Sequence, residues 1–226
     1  MELWLDTSHL DTIKKAYRYG IIHGVTTNPS IIAKSHQDPA LLIPSLLDIQ
    51  KGPVAIQVTA DEAEGMVHEA KCLYQMSSRI IIKIPVTQEG LAAIHILSAM
   101  GIATMATALF HPNQAYLAAL AGASYVAPYL GRMFDEGIDA WSVLQTMLAI
   151  YRQHSFKTKI LVAALKSTEH ITLCAEMGVH AITIKKESFD ELITEHPLTE
   201  QWVKIFAQDW EDVQKKYPSK FIPALS

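Results

Sequence analysis

Eight short apolar runs, each followed by an amphipathic segment, predict an α/β fold, a single (β/α)8 barrel with an extra C-terminal helix. Two further observations support it. Gly101, Gly122 and Gly178 each close a helical pattern just before an apolar run, where a left-handed cap residue belongs. Eight repeats in a 226-residue chain also suit a closed barrel, a fold of about 250 residues. An open doubly wound sheet is the other arrangement that such alternation allows. No linker or low-complexity segment interrupts the chain. Residues 1–226 therefore read as one barrel domain, with a helical tail over about 197–226.

The elements follow in order. A strand is expected at Leu3–Asp6, then a helix at Leu10–Tyr19. The second strand, Ile21–Thr26, leads to Asn28-Pro29, an N-cap with proline at the first helical position. A helix at Ala40–Gln50 precedes strand Val54–Thr59, and a helix at Ala60–Tyr74 precedes strand Arg79–Pro85. Gly90–Met100 is helical before strand Ala103–Ala108, and Pro112–Ala121 before strand Tyr125–Tyr129. A helix at Asp139–Tyr151 leads to strand Lys159–Ala164, and one at Ser167–Met177 to strand Ala181–Lys185. Phe189–Thr194 and Thr199–Lys216 complete the helices. In the last of them Trp202, Phe206 and Trp210 recur at i, i+4 and i+8, one aromatic stripe that packs on its own barrel or docks on a neighbouring subunit.

A net charge of −4 gives no electrostatic case for nucleic acid or an anionic membrane. Gly90 to Gly131 contains no Asp, Glu, Lys or Arg, but glycines, prolines, histidines and amides break it. It lacks the roughly 20-residue apolar run of a membrane helix, and reads as buried barrel elements or a subunit interface. The N-terminus shows no signal-peptide pattern, so a cytoplasmic location is expected. Cys72 and Cys174 fall on helices without metal spacing, and both are expected to be buried free thiols. Ten histidines include no His-Glu-x-x-His spacing, so no metal is expected.

Lys83 stands out. It sits among Ile80, Ile81, Ile82 and Ile84 in a run that reads as a buried strand. An ammonium there loses hydration, a cost borne only if it is paired, neutralised or used. A desolvated amine is also the nucleophile that forms Schiff bases. A plain alternative is a lysine that snorkels to solvent from a strand end. The other strands carry polar groups at the same end: Asp6, Thr26 with Asn28, Gln57, Thr107, Tyr129 with Arg132, and Lys166 with Ser167. Each alone has a structural explanation, such as a cap at Asp6. Together, in a barrel, they converge at the C-terminal strand ends, where barrel enzymes hold their active sites.

Several segments resemble one known family, the small transaldolase and fructose-6-phosphate aldolase group. They are Leu5-Asp-Thr-Ser8, Gly24-Val-Thr-Thr-Asn-Pro-Ser-Ile-Ile32, Ala63-Glu-Gly-Met66, Lys83-Ile-Pro-Val86 with Glu89-Gly-Leu-Ala-Ala93, and Tyr125-Val-Ala-Pro-Tyr129. The resemblance runs in register from the first strand to about Trp210. It implies a class I aldolase barrel that needs no metal or organic cofactor and acts on small sugar phosphates of the pentose phosphate pathway. It implies homo-oligomers, pentamers or decamers, in which the C-terminal helix packs on a neighbour. By resemblance Lys83 is the Schiff-base lysine, and Asp6 the acid that positions hydroxyls and assists carbon–carbon cleavage. Thr26 and Asn28 line the dihydroxyacetone end. Gln57, Thr107 and Tyr129 hold a catalytic water. Arg132 binds phosphate.

The resemblance also supplies a marker between the two activities. Transaldolases of the family usually carry Glu where this chain has Gln57, and Phe where it has Tyr129. Both positions here favour an aldolase that cleaves or forms fructose 6-phosphate from dihydroxyacetone and glyceraldehyde 3-phosphate. The alternative is a transaldolase that passes the dihydroxyacetone unit to an acceptor. A non-catalytic sugar-phosphate-binding barrel is a third reading. The family's phosphate-binding serine after the seventh strand is replaced by Ala164, which leaves Arg132 and Lys166, with Ser167 beside them, as the expected anion-binding groups.

Overall fold

The computed structural model of the chain describes residues 1–217. The end of the expected tail, residues 218–226, lies outside the described residues. The contacts form two compact units, Met1–Phe189 and a second from Asp190 onward.

The first unit is a closed barrel of eight parallel strands in sequence order. The strands are β1 (Glu2–Asp6), β2 (Gly24–Thr26), β3 (Val54–Gln57), β4 (Ile80–Pro85), β5 (Thr104–Leu109), β6 (Tyr125–Pro128), β7 (Lys159–Val162) and β8 (Ala181–Ile184). Between them run α1 (Leu10–Arg18), α2 (Pro29–Ser35), α3 (Pro39–Ile49), α4 (Ala63–Met76), α5 (Gln88–Ala99) and α6 (Pro112–Leu120). After them come α7 (Leu130–Asp135), α8 (Ala140–Gln153), α9 (Thr168–Glu176) and α10 (Lys186–Leu192). The closed ring decides between the two predicted arrangements in favour of the barrel.

Period-two alternation sorts each strand into an inward and an outward set. Trp4, Ala55, Ile81, Met105, Tyr125, Ala127, Leu161 and Ala181 pack together as a buried cluster. One step further along their strands, on the same face, come Asp6, Gln57, Lys83, Thr107, Tyr129, Ala163 and Thr183. The floor of the barrel is polar. The Glu2 carboxylate accepts from Trp4 Nε1 at 3.1 Å and from the Tyr125 hydroxyl at 3.0 Å, and pairs with Lys159. These bonds tie β1 to β6 and β7, and the Lys159 ammonium answers the Glu2 charge.

The glycine caps behave as expected, with φ of +72° at Gly101, +93° at Gly122 and +74° at Gly178. Of the short helices, α7 was not legible, whereas the start of α2 falls where Asn28-Pro29 predicts it. Asn28 caps α2, its side chain accepting from Ile31 N at 2.9 Å. The charge-free stretch is only partly interior. Ile96 on α5, Met100 capping its end, and Leu117 and Leu120 on α6 stand in solvent in the single chain. The expectation for Cys72 needs correction: it lies exposed on α4, on the outer side of the helix, whereas Cys174 is buried. Amphipathic periodicity places a residue on a helix but discriminates poorly between flank and inner face.

The second unit is dominated by α11 (Pro197–Lys216). Trp202, Phe206 and Trp210 are all exposed on it, with the Trp202 and Phe206 rings 5.4 Å apart. No described helix is long and apolar enough to cross a membrane.

Candidate active site

Lys83 lies on β4 and is 4% exposed. Its Nζ donates to the Thr27 carbonyl at 2.6 Å. Burial among isoleucines pulls its pKa from 10.5 down to about 8, and the Asp6 carboxylate opposes that pull. At pH 7 about one lysine in ten is then the free amine, against about one in 3,000 at the ordinary value. The amine opens onto a cavity of about 680 Å³ at the C-terminal strand ends. That volume accommodates a six- or seven-carbon sugar phosphate.

Asp6, Thr26, Asn28, Tyr129, Arg132 and Lys166 line the same cavity as Lys83. Asp6 Oδ1 accepts from Thr26 Oγ1 at 2.7 Å. Thr107 is 1% exposed and stands behind the wall, its hydroxyl 2.8 Å from that of Tyr129. Burial raises the Tyr129 pKa, with the Thr107 hydrogen bond opposing and the Asp6 charge adding to the rise. The phenol therefore keeps its proton at neutral pH and is available as a donor.

Gln57 faces Lys83 in register on the neighbouring strand but does not line the cavity. Ser167 is not brought to the cavity either. Its hydroxyl caps α9, accepting from His170 N at 3.4 Å. The sequence predicts a helix opening at Ser167, and as the N-cap of that helix the residue spends its hydroxyl on the backbone rather than on the cavity.

The two cations expected to bind an anion are already engaged. Lys166 pairs with Asp135, and Arg132 Nη1 lies 3.9 Å from the same carboxylate. Ala164, at the expected serine position, lines the cavity with φ +59°, and Ala108 at the end of β5 has φ +58°. Non-glycine residues seldom adopt this region, and such strain concentrates at functional sites. Around Ala108 the pairing of β5 with β6 shifts register, and Tyr129 N donates to the Leu109 carbonyl at 3.2 Å. The bulge thus helps to place the tyrosine.

Among the polar lining residues that escaped the sequence reading are Thr183, Lys34, Lys185 and Asp135. Thr183 had a usable signal, since alternation in Ala181-Ile-Thr-Ile184 sends its hydroxyl inward. Lys34 and Lys185 carry no comparable signal. Among the described residues, no cluster of three or more His, Cys, Asp or Glu could hold a metal ion.

Residues 3–220 match the model of the family described as Transaldolase/Fructose-6-phosphate aldolase. The chain belongs to this family. A protein named "Probable transaldolase" from Clostridium kluyveri is 40% identical over 216 residues, covering 96% of this chain and all of the relative. One of the same name from Methanococcus maripaludis is equally similar, and one from Pelotomaculum thermopropionicum is 39% identical over the same lengths. Membership makes the protein an enzyme of the transaldolase/aldolase type. The preference for the aldolase branch, drawn from Gln57 and Tyr129, finds no support in these relatives, whose names fit the transaldolase alternative better.

Proposed function

We propose that the protein is a transaldolase that carries a dihydroxyacetone unit on Lys83 between sugar phosphates in the cytoplasm. The observation that carries the covalent step is the buried amine with its pKa near 8, open to a sugar-sized cavity. The neutral amine attacks the ketose carbonyl at C2, and water leaves to give an iminium. Asp6 takes the C4 hydroxyl proton as the C3–C4 bond breaks, and the bonding pair flows into the iminium to form an enamine. An acceptor aldehyde then adds by the reverse steps. Asn28 is suited to the hydroxyls of the bound unit. Arg132 and Lys166, helped by Lys34 and Lys185, suit the phosphate, for which Ala164 offers no hydroxyl. The names of full-length relatives near 40% identity support transfer over release.

One observation favours the second reading, a fructose-6-phosphate aldolase. The Tyr129 phenol, held by Thr107, is a protonated donor on the cavity wall that can protonate the enamine, after which hydrolysis frees the lysine. Incubation with fructose 6-phosphate alone separates the two. A transaldolase releases glyceraldehyde 3-phosphate up to one equivalent per site, and free dihydroxyacetone stays near zero until an acceptor is added. Continuous release of dihydroxyacetone without acceptor defeats the transfer reading.

We also infer a homo-oligomer, consistent with the pentamers and decamers of the resembling family. The exposed aromatic stripe of α11 supports it, as do the exposed apolar residues on α5 and α6. Sedimentation should find a species of several chains, and Trp202→Glu with Phe206→Glu should reduce its mass. A monomer in the unaltered protein rejects the assembly.

A further inference from the structure

We infer that Thr183 is a positioning residue for Asp6, acting through the hydroxyl of Thr26. The inference rests on the proposed role of Asp6 as the group that takes the C4 hydroxyl proton. It starts from three side chains on three consecutive strands of the ring, β8, β1 and β2. Thr26 Oγ1 lies 2.7 Å from Asp6 Oδ1 and also 2.7 Å from Thr183 Oγ1. Asp6 and Thr26 are direct partners in the β1–β2 ladder, and Thr183 pairs one inward position below Asp6, opposite Trp4.

Proton counting fixes the direction of this chain. A threonine hydroxyl has one proton to give, and an ionised carboxylate only accepts. Thr26 therefore spends its proton on Asp6. The short contact between the two threonines must then be filled by the proton of Thr183. Thr183 donates to Thr26, and Thr26 donates to Asp6. Thr26 is 1% and Thr183 3% exposed, so solvent is poorly placed to substitute for either bond. A donor that is itself receiving a hydrogen bond is polarised, and the bond it makes to a carboxylate is strengthened.

The chain has a consequence for which oxygen does the chemistry. Oδ1 is held by Thr26, which leaves Oδ2 to meet the substrate. The C4 hydroxyl proton moves to Oδ2 while the C3–C4 electron pair moves toward the iminium. Oδ1 accepts from Thr26 before and after that transfer, so neither threonine proton moves. The arrangement is prepared in advance and needs no reorganisation during cleavage, which is how fixed donors lower a barrier. Thr183 thus acts on bond cleavage and not on imine formation, which takes place at Lys83.

Thr183→Val keeps the side-chain shape and removes the donor, and Thr183→Ser restores it. Two rates are compared. One is kcat for cleavage of fructose 6-phosphate in the presence of an acceptor. The other is borohydride trapping of dihydroxyacetone on Lys83, which requires no carbon–carbon cleavage. In Thr183→Val, kcat should fall about tenfold or more, with KM and trapping within about twofold of the unaltered protein. Thr183→Ser should recover most of kcat. If the valine variant does not fold, Thr183→Ala makes the same deletion and must give the same split. Unchanged kcat, a parallel loss of trapping, or no rescue by serine overturns the inference while leaving the Schiff base intact. Absence of any adduct in the unaltered protein overturns the Schiff-base reading and this inference with it.

Discussion

Lys83→Met leaves a protein that forms no borohydride-stable adduct with dihydroxyacetone and turns over fructose 6-phosphate more slowly by a factor on the order of 10⁴ or more. The same variant should be more stable than the parent at neutral pH. Its amine has a pKa near 8 in the fold against 10.5 in the open chain. The unfolded state therefore binds the proton more tightly, and stability rises with pH between those two values. The handicap is fully present below about pH 8 and vanishes above about 10.5. At about 1.4 kcal/mol per tenfold change in proton affinity, it amounts to about 3 kcal/mol. Denaturant titration at pH 7 should show a gain up to that size, shrinking as the pH approaches 10.5. A methionine variant that is less stable at pH 7 would mean that the lysine is a structural ion-pair member and not a strained nucleophile.

The second large effect is expected at Gly131. A Cβ built there meets the Ala164 carbonyl oxygen at 1.9 Å. The Cβ has no freedom of its own and the atom it meets is backbone, and Ala164 already holds φ +59°. Neither side can yield by a simple rotamer change, so Gly131→Ala forces α7 away from the end of β7. The cost should be about 2 kcal/mol or more in stability. The displacement carries Arg132, the next residue, with it. Misplacing a substrate-holding group by about 1 Å can cost a factor of about 100. KM for fructose 6-phosphate should therefore rise at least tenfold, while dihydroxyacetone, which lacks phosphate, still traps on Lys83. Equal damage to both substrates would show that the change disrupts the whole barrel mouth and that Arg132 has no selective part.

The sequence makes the barrel readable because burial on both sides and alternation along each strand leave a local trace. Lys83 shows best, since a charge among isoleucines violates the pattern around it. The failures are of another kind. Ser167 opens a helix the sequence does predict, but the same hydroxyl suits a substrate contact or an N-cap, and the cap takes it. Gln57 has the right face but stops short of the cavity, a matter of register and side-chain reach. Thr183 was overlooked because a threonine fits a strand comfortably and breaks no rule. Its significance appears only when β8 closes against β1 and brings it to Thr26. Lys34 and Lys185 belong to segments far apart in sequence, so no local feature links them. The preference between aldolase and transaldolase rested on two letters, Gln57 and Tyr129, and full-length relatives weigh against it.

For the phosphate site proposed at Arg132 and Lys166, Asp135 is a built-in rival. It pairs with Lys166 and lies beside Arg132. Any incoming anion must compete with a tethered carboxylate whose local concentration never falls. Net affinity is then a difference between two attractions, smaller than either cation alone would give. A substrate without a charged end meets no such rival, and Lys34 on α2 with Lys185 just after β8, lining the same cavity, can tip the balance for one that carries it.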